Sequence, residues 1–424
     1  MVVLTDDQRW DTLWAMPNVR RELMARGVTF TNAFVSNPLC CPSRASILTG
    51  QYSHSTGMWQ NRGRYGGFHR FRDSSTLATW LNAGGYQTAL IGKYLNGYDT
   101  TYIPPGWNRW VAFADTEDPY DLYYDYLLNI DGRIRRQRTG YSTNFLASQA
   151  VRYILTARQP FFLYFTPYAP HTPTEAAPGD RRAFAGLEPY RPPNYDESDV
   201  SDKPAWIRNL PRVRGELKRR LDGRRLGALR SLLAVDRAVG AVVQALRVTG
   251  RLENTVLIFM SDNGMIWGEH RWRTKAAPYD ESIRVPFVLR YDRVIGRPRR
   301  DDHLVVNVDI APTIADIAGV PAPGVEGRSL MPLLRQSGKK GWRSDFPIEY
   351  GPSGVIKVPA YCGLRSRRFS YIRYATGEEE LYDIVKDPYE LSNLAGQPRT
   401  QGLLRELHRR LKEECRPPPP GMSL

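Results

Sequence analysis

Short apolar runs alternate with helical patterns over the first three quarters of the chain. Val2 to Leu4, Thr88 to Ile91, Phe161 to Phe165, Thr255 to Met260 and Val285 to Leu289 read as buried strands, being brief, apolar and bounded by polar or turn residues. Between them, Leu229, Leu232, Leu233, Val239, Val242, Val243 and Leu246 recur at intervals of three and four within Leu226 to Val248, a helical stripe that stops at Gly250. This helix should pack on the sheet just ahead of the strand Thr255 to Met260. Strands alternating with helices predict an α/β fold, a large mixed sheet sandwiched between helix layers.

Two stretches break the alternation. Tyr168 to Lys218 is rich in Pro, Arg and Asp and has no clear period, so it reads as a long insertion loop over one edge of the sheet, of the kind that often covers a substrate. The run Gln336 to Trp342 marks a shift in composition and predicts a linker, dividing the chain into residues 1–335 and 336–424. Beyond it, Phe346 to Tyr374 predicts short antiparallel strands and Thr400 to Glu414 a closing helix, before Pro417 to Pro420. Together they make a smaller C-terminal α+β subdomain.

Composition narrows the class. A chain of 424 residues, 42% of them hydrophobic, can bury a large core, and no apolar run reaches the 18 or so residues that a membrane span needs. Met1 to Asp7 enters a strand directly, with no basic and apolar leader pattern, so export is not visible in the sequence. With 59 Lys plus Arg against 44 Asp plus Glu the formal charge is +15, which attracts polyanions without specifying one. The clusters Arg133 to Arg138 and Lys218 to Arg220 read as solvated faces, and no nucleic-acid-binding motif accompanies them. Cys40, Cys41, Cys362 and Cys415 form neither a disulfide framework nor a zinc spacing.

Asp6 and Asp7 fall at the C-terminal end of the first strand, where open α/β sheets place ligand groups. Asp262 and Asn263 hold the same position after the strand Thr255 to Met260, followed by Gly264, which permits a tight turn. Taken singly, each pair is also an ordinary cap or turn sequence. Brought together, three carboxylates and an amide oxygen repel one another unless a cation lies between them, and all-oxygen ligation selects Ca²⁺ or Mg²⁺ over zinc.

The segment between these pairs, Cys40-Cys-Pro-Ser-Arg-Ala-Ser-Ile-Leu-Thr-Gly50, resembles the signature of the type I sulfatases. Leu4 to Gln8, Gly92 to Gly97, Ala169 to Pro173, Ser261 to Gly264, Glu380 to Asp383 and Asp387-Pro388 extend the resemblance along nearly the whole chain. Gly92 to Gly97 and Tyr102 to Trp107 are similar to the branch that removes 6-sulfate from glucosamine residues of heparan-type polysaccharides. The resemblance implies an alkaline-phosphatase-like fold and a sulfuric ester hydrolase acting on a sulfated carbohydrate or aryl sulfate. It implies that Cys40 is oxidised to formylglycine (3-oxoalanine) by a separate generating enzyme, and that the protein is exported or periplasmic. Asp6, Asp7, Asp262, Asn263 and residue 40 are then the expected ligands of Ca²⁺, with Mg²⁺ or Mn²⁺ as alternatives.

Such chemistry needs cations for the sulfate oxygens and a proton for the alkoxide leaving group. If the signature opens a helix, Arg44 lies on the face of Cys40, where its charge can hold the nucleophile. Lys93 and Lys275 resemble the family's sulfate-contacting lysines, and His171 is the candidate to act at the leaving oxygen. His54, Asn96 and His270 are candidate substrate contacts, although structural roles suit both histidines. Many family members carry a histidine two residues after the Lys93 position, where this chain has Leu95 and then Asn96. Two rivals stand beside this reading: a phosphonate monoesterase or phosphodiesterase of the same superfamily, and an inactive polyanion-binding protein.

Overall fold

The computed structural model describes residues 1–115, 122–336 and 341–424. The expected α/β architecture is present. Strands β1 (Val2–Thr5), β2 (Val28–Phe34), β3 (Gln87–Gly92), β4 (Arg109–Phe113), β5 (Tyr126–Ile130), β6 (Arg133–Gln137), β7 (Phe161–Thr166), β8 (Leu257–Ser261), β9 (Phe287–Arg290) and β10 (Arg299–Val306) form one sheet. Its order is β10-β2-β9-β8-β1-β7-β3-β4-β5-β6. The centre is parallel: β1 lies between β7 and β8, and β3 pairs with β7. Antiparallel pairings at β8–β9, β2–β9, β4–β5 and β5–β6 make the sheet mixed. β6, whose Arg133, Arg135 and Arg136 are exposed, is an outer strand, and its charges discourage edge-to-edge pairing.

Alternation along the central strands builds two cores. Val3, Ile91, Leu163, Phe165 and Phe259 face helices Ser142–Thr156 and Gly215–Val248. Val2, Leu4, Leu90, Tyr164 and Ile258 face helices Cys40–Thr49, Leu77–Ala83 and Ile310–Ala318 on the other side. Because side chains alternate across a strand, apolar runs with no polar position are what a sheet covered on both faces requires.

The helix expected from Leu226 begins eleven residues earlier, at Gly215. Its first turns, Glu216 to Arg220, are largely exposed and show no apolar stripe, while Glu, Leu, Lys and Arg supply helix propensity there. The insertion accordingly ends at Arg214 and is not a loose cover over a sheet edge. Asn194, Lys203 and Ile207 are buried in it; Asn194 donates to Glu281 at 2.9 Å, and Lys203 Nζ donates to the Leu391 carbonyl at 2.7 Å.

The C-terminal part contains β11 (Asp345–Tyr350), β12 (Tyr361–Ser366), β13 (Phe369–Tyr374) and β14 (Glu379–Asp383) in an antiparallel sheet of that order, packed on helix Gln401–Glu414. β14 had no counterpart in the sequence reading. Cys362 on β12 and Cys415 after the helix form a disulfide, although the spacing of the four cysteines was read as no disulfide framework. Of the linker proposed at 336–342, residues 337–340 lie outside the described residues. Phe346, Tyr361, Tyr374 and Tyr382 share a core with Phe34, Leu39 and Tyr279, so the second sheet packs directly on the first part.

Candidate active site

The parallel strands β1, β3, β7 and β8 all deliver their C-terminal ends to one place, so the residues that follow them converge. Asp6 and Asp7 follow β1, Lys93 follows β3, Tyr168 and His171 follow β7, and Asp262 and Asn263 follow β8. Asp262 N donates to the Thr5 carbonyl at 3.1 Å, and Lys93 N to the Thr166 carbonyl at 2.7 Å, extending the ladder to the site itself. Gly92, at φ 127°, is required because a Cβ there would meet the Thr166 carbonyl oxygen at 2.0 Å. Gly264 serves close approach, not a positive-φ turn: a Cβ there would meet the Glu281 carbonyl oxygen at 2.1 Å.

Cys40 is the first residue of the helix Cys40–Thr49, whose N-terminus therefore points at the cluster. Cys41 N is capped by Asn61 Oδ1 at 2.9 Å, in place of a side chain from Leu39. Cys40 Sγ lies 3.4 Å from Asp6 Oδ1, and Lys275 Nζ lies 2.6 Å from both Cys40 Sγ and Asp7 Oδ1. Lys93 Nζ donates to Asp6. Asp7, with φ 67°, sits in the left-handed region, an unfavourable conformation that the surrounding contacts hold.

Arg44 is fully buried, and its guanidinium ties the two sides of the cluster together. Nε donates to Asp262 Oδ2 at 2.8 Å, Nη1 to the Lys93 carbonyl at 2.8 Å, and Nη2 lies 3.3 Å from Asp6 Oδ2. The arginine therefore holds carboxylates, where a contact with the nucleophile was expected. Asp7 N donates to Asp262 Oδ1 at 3.1 Å and Asn263 Nδ2 to Asp7 Oδ1 at 2.6 Å, which closes the ring.

Ionisation follows the cations. Burial opposes the charge of Asp6, but Lys93, His171, Arg44 and Lys275 outweigh it and hold this carboxyl far below its usual range. Burial and the charge on Asp6 push Asp262 up. Burial and Asp6 likewise push the Cys40 thiol up to about 12, against the pull of Lys275. Three carboxylates (Asp6, Asp7, Asp262) face three cations (Arg44, Lys93, Lys275), all buried.

His171 is the most open member, with 24% of its side chain exposed, and its Nε2 lies 3.6 Å from Asp7 Oδ2. Nδ1 donates to the Thr172 carbonyl at 2.7 Å and lies 2.5 Å from the Tyr168 hydroxyl, so the backbone fixes which nitrogen faces the cluster. Burial lowers the pKa of this imidazole. Tyr168, which the sequence reading missed, packs against His171 with ring centres 4.6 Å apart and planes tilted by 42°, and lies below the Lys93 ammonium. Its one sequence signal is its place three residues before His171.

The remaining candidates sit elsewhere. His54 bridges Glu349 Oε1 at 2.5 Å and Glu326 Oε1 at 3.3 Å, and His270 is buried against Tyr279 with Nδ1 2.6 Å from Glu197. Both are engaged in structural contacts and do not join the cluster. Asn96 lines a cavity of about 690 Å³ with Leu39, Asn61 and Arg62, beside the N-terminus of the Cys40 helix, and its Oδ1 has no partner among the described residues.

Asp7 Oδ2 and Asn263 Oδ1 are likewise buried and accept no hydrogen bond among the described residues, while donor atoms of Asp6, Asp7, Cys40 and His171 lie within 4.8 Å of one another. Unpaired buried oxygens among carboxylates fit a hard divalent cation, which would satisfy both.

Comparison with known proteins places this geometry in context. A family model described as Sulfatase matches residues 1–320, and one described as N-sulphoglucosamine sulphohydrolase, C-terminal, matches residues 268–416. The chain is 32% identical over 381 residues to human N-acetylglucosamine-6-sulfatase, covering 84% of this chain and 67% of that protein. It is 31% identical over 368 residues to the extracellular sulfatase SULF-1 homolog of Drosophila melanogaster, covering 82% of this chain but only 32% of the relative. A second relative, from Caenorhabditis elegans, is spanned over 53% of its length, so the chain covers a third to a half of these two proteins. Among solved structures, one in complex with D-glucosamine-2-N,6-O-disulfate superposes with TM-score 0.85 at 25% identity, covering 97% of this chain and 96% of the other. The phosphonate monoester hydrolase of Agrobacterium radiobacter shares the fold, with TM-score 0.77 at 22% identity over 97% of this chain and 94% of the other.

Proposed function

The chain belongs to the sulfatase family, and from that premise we propose that it is a hydrolase of sulfate esters of glucosamine 6-sulfate type. The observation that carries this reading is the convergence of Cys40, Lys275, Lys93, His171 and an acidic ring with unpaired oxygens at one strand edge. The printed names of relatives as N-acetylglucosamine-6-sulfatases, and of a solved neighbour's disulfated glucosamine substrate, support the sugar.

Asp6, Asp7, Asp262 and Asn263 would hold a divalent cation, Ca²⁺ with Mg²⁺ or Mn²⁺ as alternatives, supplying positive charge at the sulfate oxygens. Burial and Asp6 push the Cys40 thiol up to about 12, so the unmodified cysteine is a poor nucleophile, and this reading takes formylglycine, made from Cys40 by a separate generating enzyme, as the nucleophile instead. Formylglycine at residue 40 would, once hydrated, supply an oxygen nucleophile together with a second hydroxyl through which the sulfo group could be released. Lys275, at 2.6 Å from Cys40 Sγ, and Lys93 neutralise negative charge around the reacting sulfur. With Nδ1 fixed on Thr172, His171 presents Nε2 to the site; an anionic ester beside it favours the protonated ring, which donates to the leaving oxygen.

Residues 1–335 carry this machinery and 336–424 pack against it as a second unit. Export is supported by the Cys362–Cys415 disulfide, since such bonds persist in oxidising compartments. Among the described residues no helix is long and apolar enough to cross a membrane.

Peptide mass spectrometry across residue 40, on protein co-expressed with a generating enzyme, tests the nucleophile, and sulfate release from glucosamine 6-sulfate tests the activity. An unconverted cysteine would sink the mechanism. Faster cleavage of a matched phosphonate ester would transfer the site to the phosphonate monoesterase reading, which the shared fold supports.

A further inference from the structure

Beside the acidic ring, the helix Gly215–Val248 and the chain after Asn263 bring Arg224 and Arg273 to the wall of one small pocket, which Asp7, Thr172 and Trp267 also line. Both arginines are partly buried, and among the described residues neither guanidinium has a hydrogen bond, an ion pair or an aromatic partner. Their neighbours differ: Arg9 is bonded to Asp11 and Glu269, Arg225 to the Glu188 carbonyl, and Arg271 to the Glu197 and Ser198 carbonyls. Withdrawing two like charges from water without a partner is unfavourable, so this wall is short of an anion.

The pocket is contiguous with the chemistry. Asp7 belongs to both, Thr172 accepts the hydrogen bond that fixes His171, and Arg273 lies two residues before Lys275. Its volume of about 40 Å³ leaves room for about three waters at about 10–15 Å³ each, which suits the terminal oxygens of one sulfo or carboxylate group better than a whole sugar.

We propose that Arg224 and Arg273 form a second anion subsite, which reads an anionic substituent carried by the same substrate molecule as the scissile sulfate. The proposal rests on the sulfatase reading and narrows its substrate to glycans bearing at least two anionic groups. The planar forks of the two side chains suit the oxygens of either a sulfo group or a carboxylate.

The test compares wild type with Arg224→Gln and Arg273→Gln on three probes: glucosamine 6-sulfate, glucosamine sulfated at both N2 and O6, and a 6-sulfated glucosamine linked to a uronic acid. The ratio of kcat/KM for a doubly anionic probe to that for the singly sulfated one should fall about ten-fold in each variant, through KM more than kcat. The probe whose ratio falls identifies the group read. Melting temperatures should not drop, since no partner is lost. Isothermal titration of the same sugars into Cys40→Ser protein gives a readout independent of turnover. A binding preference for a doubly anionic sugar that disappears with Arg224→Gln upholds the subsite even if no ester is cleaved, in which case the sulfatase reading alone fails. Turnover with an unchanged probe ratio in both glutamine variants overturns the subsite and leaves the sulfatase reading standing.

Discussion

Among the described residues, two of the acid clusters are buried and look able to bind a metal on carboxylate count alone. One is the ring of Asp6, Asp7, Asp262 and Asn263 beside Cys40, in which donor atoms of Asp6, Asp7, Cys40 and His171 lie within 4.8 Å of one another; the other gathers His270, Glu281 and Glu390, equally close together. Both contain buried oxygens that accept no hydrogen bond among the described residues, Asp7 Oδ2 and Asn263 Oδ1 in the first, Glu281 Oε2 and Glu390 Oε1 in the second. Cations separate them. Arg44, Lys93 and Lys275 contact the first, whereas among the described residues no Lys or Arg forms an ion pair with Glu281 or Glu390. Asp6 is consequently held ionised, while burial together with Asp280 and Glu281 pushes Glu390 up, and burial together with Glu269 pushes Glu281 up. Burial and neighbouring acids thus oppose the charge of Glu281 and Glu390, where cations favour that of Asp6. The charges around a cluster, and not its acid content, decide whether it is a site.

The largest expected effect belongs to the first cluster. Cys40→Ala should lower turnover of glucosamine 6-sulfate by on the order of 10⁴-fold or more, as loss of a nucleophile does, while the melting temperature barely moves. Comparable turnover from the alanine variant would remove Cys40 from the chemistry. Arg44→Ala should destabilise the fold by about 3–5 kcal/mol, measured by denaturant unfolding, because Asp6 and Asp262 would be left facing each other in the interior. A cost below about 1 kcal/mol would show that the ring does not depend on this arginine.

How far the sequence disclosed this contrast varies with the kind of information. Strand ends were legible because β1, β3, β7 and β8 are apolar runs that stop at polar residues, and the residues after them fell where the parallel sheet puts them. Chain order could not report partners far apart in sequence. The Cys362–Cys415 bond depends on β12 lying beside the final helix, and Arg44 reaches Asp262 across 218 positions. His54 and His270 lie near motifs in sequence, yet their rings are turned to Glu349 and Glu197. The first turns of Gly215–Val248 carry no apolar stripe and so escaped a reading based on periodicity.

Metal removal sharpens the comparison further. A chelator should lower the melting temperature of wild type, since a cation at 100 times its dissociation constant contributes about 2.7 kcal/mol to the folded state. Asp262→Asn should abolish that response and Glu390→Gln should preserve it, as read by differential scanning calorimetry with and without chelator. If Glu390→Gln removed the response instead, the second cluster would be the metal site.

The smallest effect is the most specific to the second cluster. A carboxyl whose folded pKa is raised ionises first in the unfolded chain, so between its ordinary value, about 4.3, and its raised one the unfolded state binds fewer protons and stability falls as pH rises. Glutamine keeps the shape of a protonated Glu390, can still accept from Asp280 N where the native side chain does at 3.1 Å, and has no proton to lose. Glu390→Gln should therefore unfold with a weaker pH dependence than wild type, by up to about 1.4 kcal/mol per pH unit over the affected range, and gain on it from pH 4 to pH 8. Unfolding curves across that range decide the matter. A uniform loss of several kcal/mol at every pH would mean that Glu390 is ionised and paired with a cation, and the distinction between the two clusters would collapse.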